Sequence, residues 1–141
     1  MRVIFLDIDG VLNCKNTTQR SRGFIGIDPF LVAIFNKIIF ATDAEIILSS
    51  AWRLFNDSGK EEIRRAVMPF ISETPRPTTG FRGDEIREWF KLNPNIQIEK
   101  YAILDDDSDF YPDQPLFKTS WETGLTEEIA NNLIQYLCQK N

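Results

Sequence analysis

The sequence predicts an α/β fold: a central, mainly parallel sheet with helices on both faces. Short, almost wholly apolar runs alternate with amphipathic helical stripes. The runs lack the polar alternation of a sheet with one wet face. The most polar residues stand where the apolar runs end, the edge at which parallel sheets bind ligands.

The elements follow in order. Val3 to Leu6 is apolar and β-branched, as a buried strand requires. Asp28 and Pro29 supply an N-cap and a first-turn proline for a helix in which Leu31, Ile34, Phe35 and Ile38 recur at helical spacing. Ile46 to Leu48 is the next buried strand. Ser58 and Glu61 form a capping box ahead of a stripe of Ile63, Val67, Phe70 and Ile71. SETPRPTTG is a turn-rich break. Ile86, Trp89 and Phe90 mark a short helix that stops before Asn93 and Pro94. Tyr101 to Leu104 is a strand running into aspartates. Thr126 caps a last helix bearing Ile129, Leu133, Tyr136 and Leu137. Trp121 and the aromatic residues of the helices are expected in the core.

With 141 residues and no linker, repeat or low-complexity tract, residues 1–141 are expected to form a single domain. A net charge of -5 argues against non-specific coating of nucleic acid. Lys15, Arg20 and Arg22 are expected to be solvated charges. Cys14 and Cys138 are too few and too far apart for a disulfide framework or a zinc site. The absence of histidine removes His-based triads, His-ligated zinc and haem, and leaves Cys14 without an activating base. The apolar start MRVIFL reaches Asp7 too soon to be a signal peptide or membrane span, so a soluble, cytoplasmic protein is expected.

Asp7 and Asp9 follow the first strand, and Asp105, Asp106 and Asp107 follow a later one. At an effective dielectric of 20, two charges roughly 4 Å apart interact by about 4 kcal/mol. Adjacent strand ends carrying such groups need a cation. Oxygen-only donors favour a hard ion, and Mg²⁺ is the usual partner of carboxylates plus a substrate phosphate.

DIDGVLN, IILSS and YAILDDD stand in this order, each at the end of an apolar strand. Together they resemble the first, second and fourth motifs of the haloacid dehalogenase superfamily, over residues 2 to about 110. SSAWR, RGDEIREWF, LDDD and a later GLT are similar to a subgroup associated with RNA-repair proteins. The resemblance implies a three-layer Rossmann-like fold and a Mg²⁺-dependent phosphomonoester hydrolase. Asp7 would be the nucleophile that forms an aspartyl-phosphate, and Asp9 the general acid and base. Ser49, with Ser50 as rival, would bind the phosphoryl oxygen. Arg82 would supply the basic third motif, with Lys91 and Lys100 as alternatives. Asp7, Asp106 and the main-chain carbonyl of Asp9 would hold Mg²⁺, with Asp105 beside them. The second aspartate favours phosphatase or phosphomutase chemistry over carbon–halogen cleavage, which needs no proton donor, and the small chain favours the phosphatase.

Arg53 is a candidate grip on a substrate phosphate and Trp52 a candidate stacking platform for a base, against packing in the core. Asp109, Asp113 and Lys118 are expected at the surface. Residues 14–27 and 54–81 are each too short for the cap domain that this superfamily inserts, so the site is expected to be open to bulky substrates. A nucleotide or a phosphorylated polynucleotide end is the leading expectation. A small-metabolite or phosphoprotein phosphatase and a non-catalytic phosphoacceptor or binding module are the alternatives.

Overall fold

The structure, a computed structural model, describes residues 1–21, 23–54, 57–67, 69–76 and 79–140, with the backbone alone at 53, 54 and 57–59. Its centre is a five-stranded, all-parallel sheet in the order β5-β4-β1-β6-β7. The strands are β1 (Arg2–Leu6), β4 (Glu45–Leu48), β5 (Ser72–Glu73), β6 (Lys100–Asp105) and β7 (Leu116–Lys118). An antiparallel hairpin of β2 (Arg20–Ser21) and β3 (Phe24–Ile25) stands apart from it.

Helices α1 (Pro29–Thr42), α2 (Asp57–Ala66) and α4 (Glu127–Cys138) cover one face; α3 (Arg82–Leu92) covers the other. Alternate residues of β1 divide between these layers as a two-residue strand period demands. Ile4 and Leu6 join Phe35, Ile38, Ile63 and Leu133 on the first face. Val3 and Phe5 join Ile86 and Trp89 on the second. There Phe5 meets Trp89 edge-on at 5.5 Å and Tyr101 at 5.7 Å, the geometry that ring quadrupoles favour. The result is the three-layer Rossmann-like arrangement.

The helix starts follow their caps. Asp28 accepts the N–H of Phe30 at 3.0 Å, and Thr126 that of Ile129 at 3.2 Å. Two expectations need correction. The second helical stripe stops at Ala66, before the proline at 69, so Phe70 and Ile71 lie beyond the helix; the side chain of Ser58 lies outside the described residues. The SETPRPTTG break opens with a sheet strand, since Ser72 and Glu73 pair with Ile47 and Leu48. The aromatic expectation also fails in part: Trp121, Phe30 and Phe40 are exposed, while Phe35 and Trp89 are buried.

Among the described residues, the hairpin is the only element between β1 and α1. Between β4 and α3 stand a 3-10 turn (Ala51–Leu54), α2 and β5. Among the described residues no cap domain covers the strand ends. No helix among them is long and apolar enough to cross a membrane.

Candidate active site

Register brings the candidate residues together. Leu6 is paired with Leu48 on one side and Leu104 on the other. The next residues therefore emerge side by side: the N–H of Asp7 donates to the Leu104 carbonyl at 3.0 Å and that of Ser49 to the Leu6 carbonyl at 2.8 Å. Three motifs scattered over the sequence become one row at the carboxyl edge of the sheet.

Asp7, Asp105 and Asp106 each offer a carboxylate oxygen, and the three oxygens lie within 4.8 Å of one another. Asp7 and Asp105 are buried and Asp106 half-buried. Gly10 makes the approach of Asp106 possible: its φ is +80°, and a Cβ there would collide with the Asp106 carboxylate. Thr119 ties the same turn to β6, donating from its hydroxyl to the Gly10 carbonyl at 2.5 Å and from its N–H to the Asp105 carbonyl at 3.0 Å.

Arg82, first residue of α3, faces this group from the opposite layer. Its guanidinium stands 3.8 Å from Asp7 Oδ1 and 3.5 Å from Asp105 Oδ2, and donates to the Ser49 carbonyl at 2.7 Å. The rival lysines are elsewhere: Lys91 is an exposed neighbour of Glu88, and Lys100 opens β6 at the far end of the strand, over the Tyr136 ring.

One guanidinium does not balance three carboxylates. Burial, then the charge of Asp105, raises the Asp7 carboxyl well above the usual range despite Arg82 and the N–H of Ile8, which Asp7 accepts at 2.8 Å. Burial likewise lifts Asp105 to about 6, against the pull of Arg82. An Asp7 ionised at neutral pH therefore needs a cation that this row of side chains does not itself provide. The donors fit a hard divalent ion: all are oxygens, they converge, and the buried Oδ2 of Asp105 has no hydrogen-bond partner.

Among the described residues, the Oγ of Ser49 is also buried without a hydrogen-bond partner, whereas Ser50 Oγ accepts the N–H of Trp52 at 3.2 Å. That difference favours Ser49 as the hydroxyl left for a ligand. The side chain of Arg53 lies outside the described residues, as does Arg22.

Asp9 is exposed, and its carboxylate is not one of the three converging groups. Its Oδ1 accepts Nδ2 of Asn13 at 2.8 Å and Nε1 of Trp52 at 3.1 Å. Trp52 is buried, 3% exposed, so the base-stacking reading is set aside. Asp109 is not a solvated loop residue either, because it holds the start of α3. Lys118 and Asp113 are exposed, Asp113 pairing with Arg87 at 3.3 Å. Cys14 is buried beside Thr17.

Sequence reasoning passed over Asn13. Its amide oxygen accepts the N–H of Gly10 at 2.9 Å while Nδ2 reaches Asp9 and, at 3.0 Å, the Gly26 carbonyl. Its place at the end of DIDGVLN was the available signal. The later GLT also has a structural role. Leu125 donates to the Val11 carbonyl at 2.9 Å, and a Cβ on Gly124 would strike Leu31, so this turn buttresses the first-motif loop.

A parallel sheet whose neighbouring strands end in converging carboxylates, a buried serine and an opposed arginine has the architecture of the haloacid dehalogenase type. The profile of the family described as "HAD domain in Swiss Army Knife RNA repair proteins" matches residues 3–130, and the chain belongs to that family. A phosphatase-type function in general terms goes with it. No curated protein and no solved structure matches the chain.

Proposed function

We propose that the chain is a Mg²⁺-dependent phosphomonoester hydrolase that works through an aspartyl-phosphate on Asp7 and acts on a nucleotide or polynucleotide phosphate end. The observation that carries this reading is the convergence of Asp7, Asp105 and Asp106 beside Arg82 and the unpartnered hydroxyl of Ser49. Asp7, Asp105 and Asp106 would hold the ion, with the main-chain carbonyl of Asp9 as the further donor that the family resemblance suggests. When bound, Mg²⁺ supplies the positive charge that keeps the carboxylates ionised and offsets the phosphate dianion.

The chain's own residues supply the rest. Asp7 attacks phosphorus while the bond to the leaving oxygen breaks, and Asp9 gives that oxygen its proton. Asp9, now a carboxylate, takes a proton from water, which attacks phosphorus and releases Asp7 and inorganic phosphate. Ser49 donates to a phosphoryl oxygen, and Arg82 balances charge on the transferring group. The absence of a cap among the described residues supports a bulky substrate, and the RNA-repair family supports a nucleic-acid end.

The test is phosphate release from an aryl phosphate with and without Mg²⁺, with Asp7→Asn beside wild type. Turnover that survives the substitution overturns the nucleophile. Among natural substrates, a 3′-phosphorylated oligonucleotide should be preferred to mononucleotides and sugar phosphates; equal turnover overturns the substrate reading alone.

A further inference from the structure

We propose that Trp52 is a positioning residue for proton transfer: with Asn13 it fixes one oxygen of Asp9 so that the other is presented to the leaving group. This rests on the reading of Asp9 as general acid. A carboxylate on an exposed turn samples several rotamers, and only some face a leaving oxygen. Here the sampling is restricted from two directions. Trp52 sits in the Ala51–Leu54 turn that follows β4, and its buried indole crosses to the first-motif loop to donate from Nε1 to Asp9 Oδ1 at 3.1 Å. Asn13 donates to the same oxygen at 2.8 Å from within the loop.

Both donors are themselves held. Asn13 is tied to the Gly10 N–H and the Gly26 carbonyl. The Trp52 N–H of the main chain is bound by Ser50 Oγ, and its ring packs in the core with Leu48 and Ile63. Asp9 Oδ2, on an exposed residue, accepts no hydrogen bond among the described residues. One oxygen is therefore anchored and the other is available. The β4 exit thus does two jobs: Ser49 offers its hydroxyl toward the phosphoryl group, and Trp52 aims the proton donor of the neighbouring strand.

A well-aimed acid matters in proportion to how badly the leaving oxygen needs a proton. The readout is the ratio of kcat/KM on an alkyl phosphate, a poor leaving group, to kcat/KM on 4-nitrophenyl phosphate, which leaves unprotonated; kcat/KM covers the steps through leaving-group departure and excludes the later attack of water. The ratio cancels the fraction of enzyme folded, so a destabilised variant still reports. Trp52→Phe keeps the packing ring and removes the N–H. It should lower the ratio by up to about tenfold, the scale of one hydrogen bond to a neutral group. In an Asp9→Asn background the same substitution should lower the ratio no further, because its effect passes through Asp9.

An unchanged ratio in Trp52→Phe, beside a lowered one in Asp9→Asn, overturns the inference alone. So does an equal loss on both substrates, or a loss that persists in the Asp9→Asn background. An unchanged ratio in Asp9→Asn overturns the acid role of Asp9 and the inference with it.

Discussion

The carboxylate of Asp109 accepts the main-chain N–H of Arg82 at 3.0 Å, while the Asp109 carbonyl accepts that of Gly83, also at 3.0 Å. The start of α3 is thereby capped from another element. Its own N-cap position is Phe81, which has no side chain able to do this. The loop after β6 is clamped at several further points: Gln114 donates to the Gly83 carbonyl at 2.9 Å, and the Arg87 guanidinium lies 3.4 Å over the Tyr111 ring. The loop that carries Asp106 and the helix that carries Arg82 are thus tied together. Asp109→Ala should lower kcat on an aryl phosphate about tenfold, and remove roughly 1 kcal/mol of stability as a lost cap does. Asp109→Asn keeps an acceptor oxygen and should recover most of both. Wild-type kcat in the alanine variant would show that Arg82 needs no such support.

Gly10 is the narrowest point of the proposed metal site. Its positive φ disfavours any side chain by about 1 kcal/mol, and the space where a Cβ would go is occupied by the Asp106 carboxylate. Gly10→Ala must therefore push Asp106 away from Asp7 and Asp105. The Mg²⁺ concentration giving half-maximal turnover should rise at least about tenfold, since one of three carboxylates is displaced. An unaltered Mg²⁺ dependence would remove Asp106 from the proposed ligand set.

Metal-free stability should depend on pH in an unusual direction. Asp105 is raised from 3.8 to about 6, and burial raises Asp7 well above the ordinary range too. An acid whose folded pKa exceeds its unfolded value binds its proton more tightly when folded. Between those two values the native state carries more protons, so the unfolding free energy falls as pH rises. The metal-free melting temperature should drop from pH 4 through pH 6 and beyond, as burial forces repelling carboxylates to ionise. The exposed Asp107, whose pKa is lowered from 3.8, acts below this window. Added Mg²⁺ favours the ionised forms, so it should raise the melting temperature more at pH 7 than at pH 5. Equal Mg²⁺ shifts at the two pH values would contradict a site built on these buried acids.

Legibility tracked burial and chain locality. β1, β4 and β6 were readable because both of their faces are covered, which leaves an apolar run, and α1 and α4 because their caps are local. β5 and β7 are two- and three-residue edge strands whose pairing depends on a neighbour already in place, and Ser72–Glu73 has no apolar signal of its own. Asp7, Ser49 and Asp105 could be named because a polar residue ending a buried strand is conspicuous. Thr119 and Asp109 could not, because each acts through hydrogen bonds to groups that only the fold brings near, whereas Asn13, bonded to Gly10 and Asp9 close by in the chain, was passed over despite its place in DIDGVLN. The Thr119 hydroxyl meets Gly10 across more than a hundred residues of chain. Trp52 packs in the core, as one of its two readings had it, and its bond to Asp9 was hidden for a related reason. An aromatic residue next to a candidate site suggests a stacking surface, yet its indole N–H was the part that mattered.

An arginine at position 82 has a geometric reason that a substitution can expose. Arg82 serves three acceptors at once: the Ser49 carbonyl at 2.7 Å, Asp105 at 3.5 Å and Asp7 at 3.8 Å. The planar fork spans them while its backbone is held by Asp109. Lysine carries the same charge on a single nitrogen and cannot reach all three from that anchor. Arg82→Lys should lower kcat about ten- to a hundredfold with charge intact, and Arg82→Ala by more. Alanine at Lys91 or Lys100, both distant from the strand-end row, should leave turnover as in wild type. A wild-type rate in Arg82→Lys would mean that charge alone is required at this position. A loss in Lys91→Ala matching that of Arg82→Ala would move the third motif along the helix, away from the residue that faces Asp7.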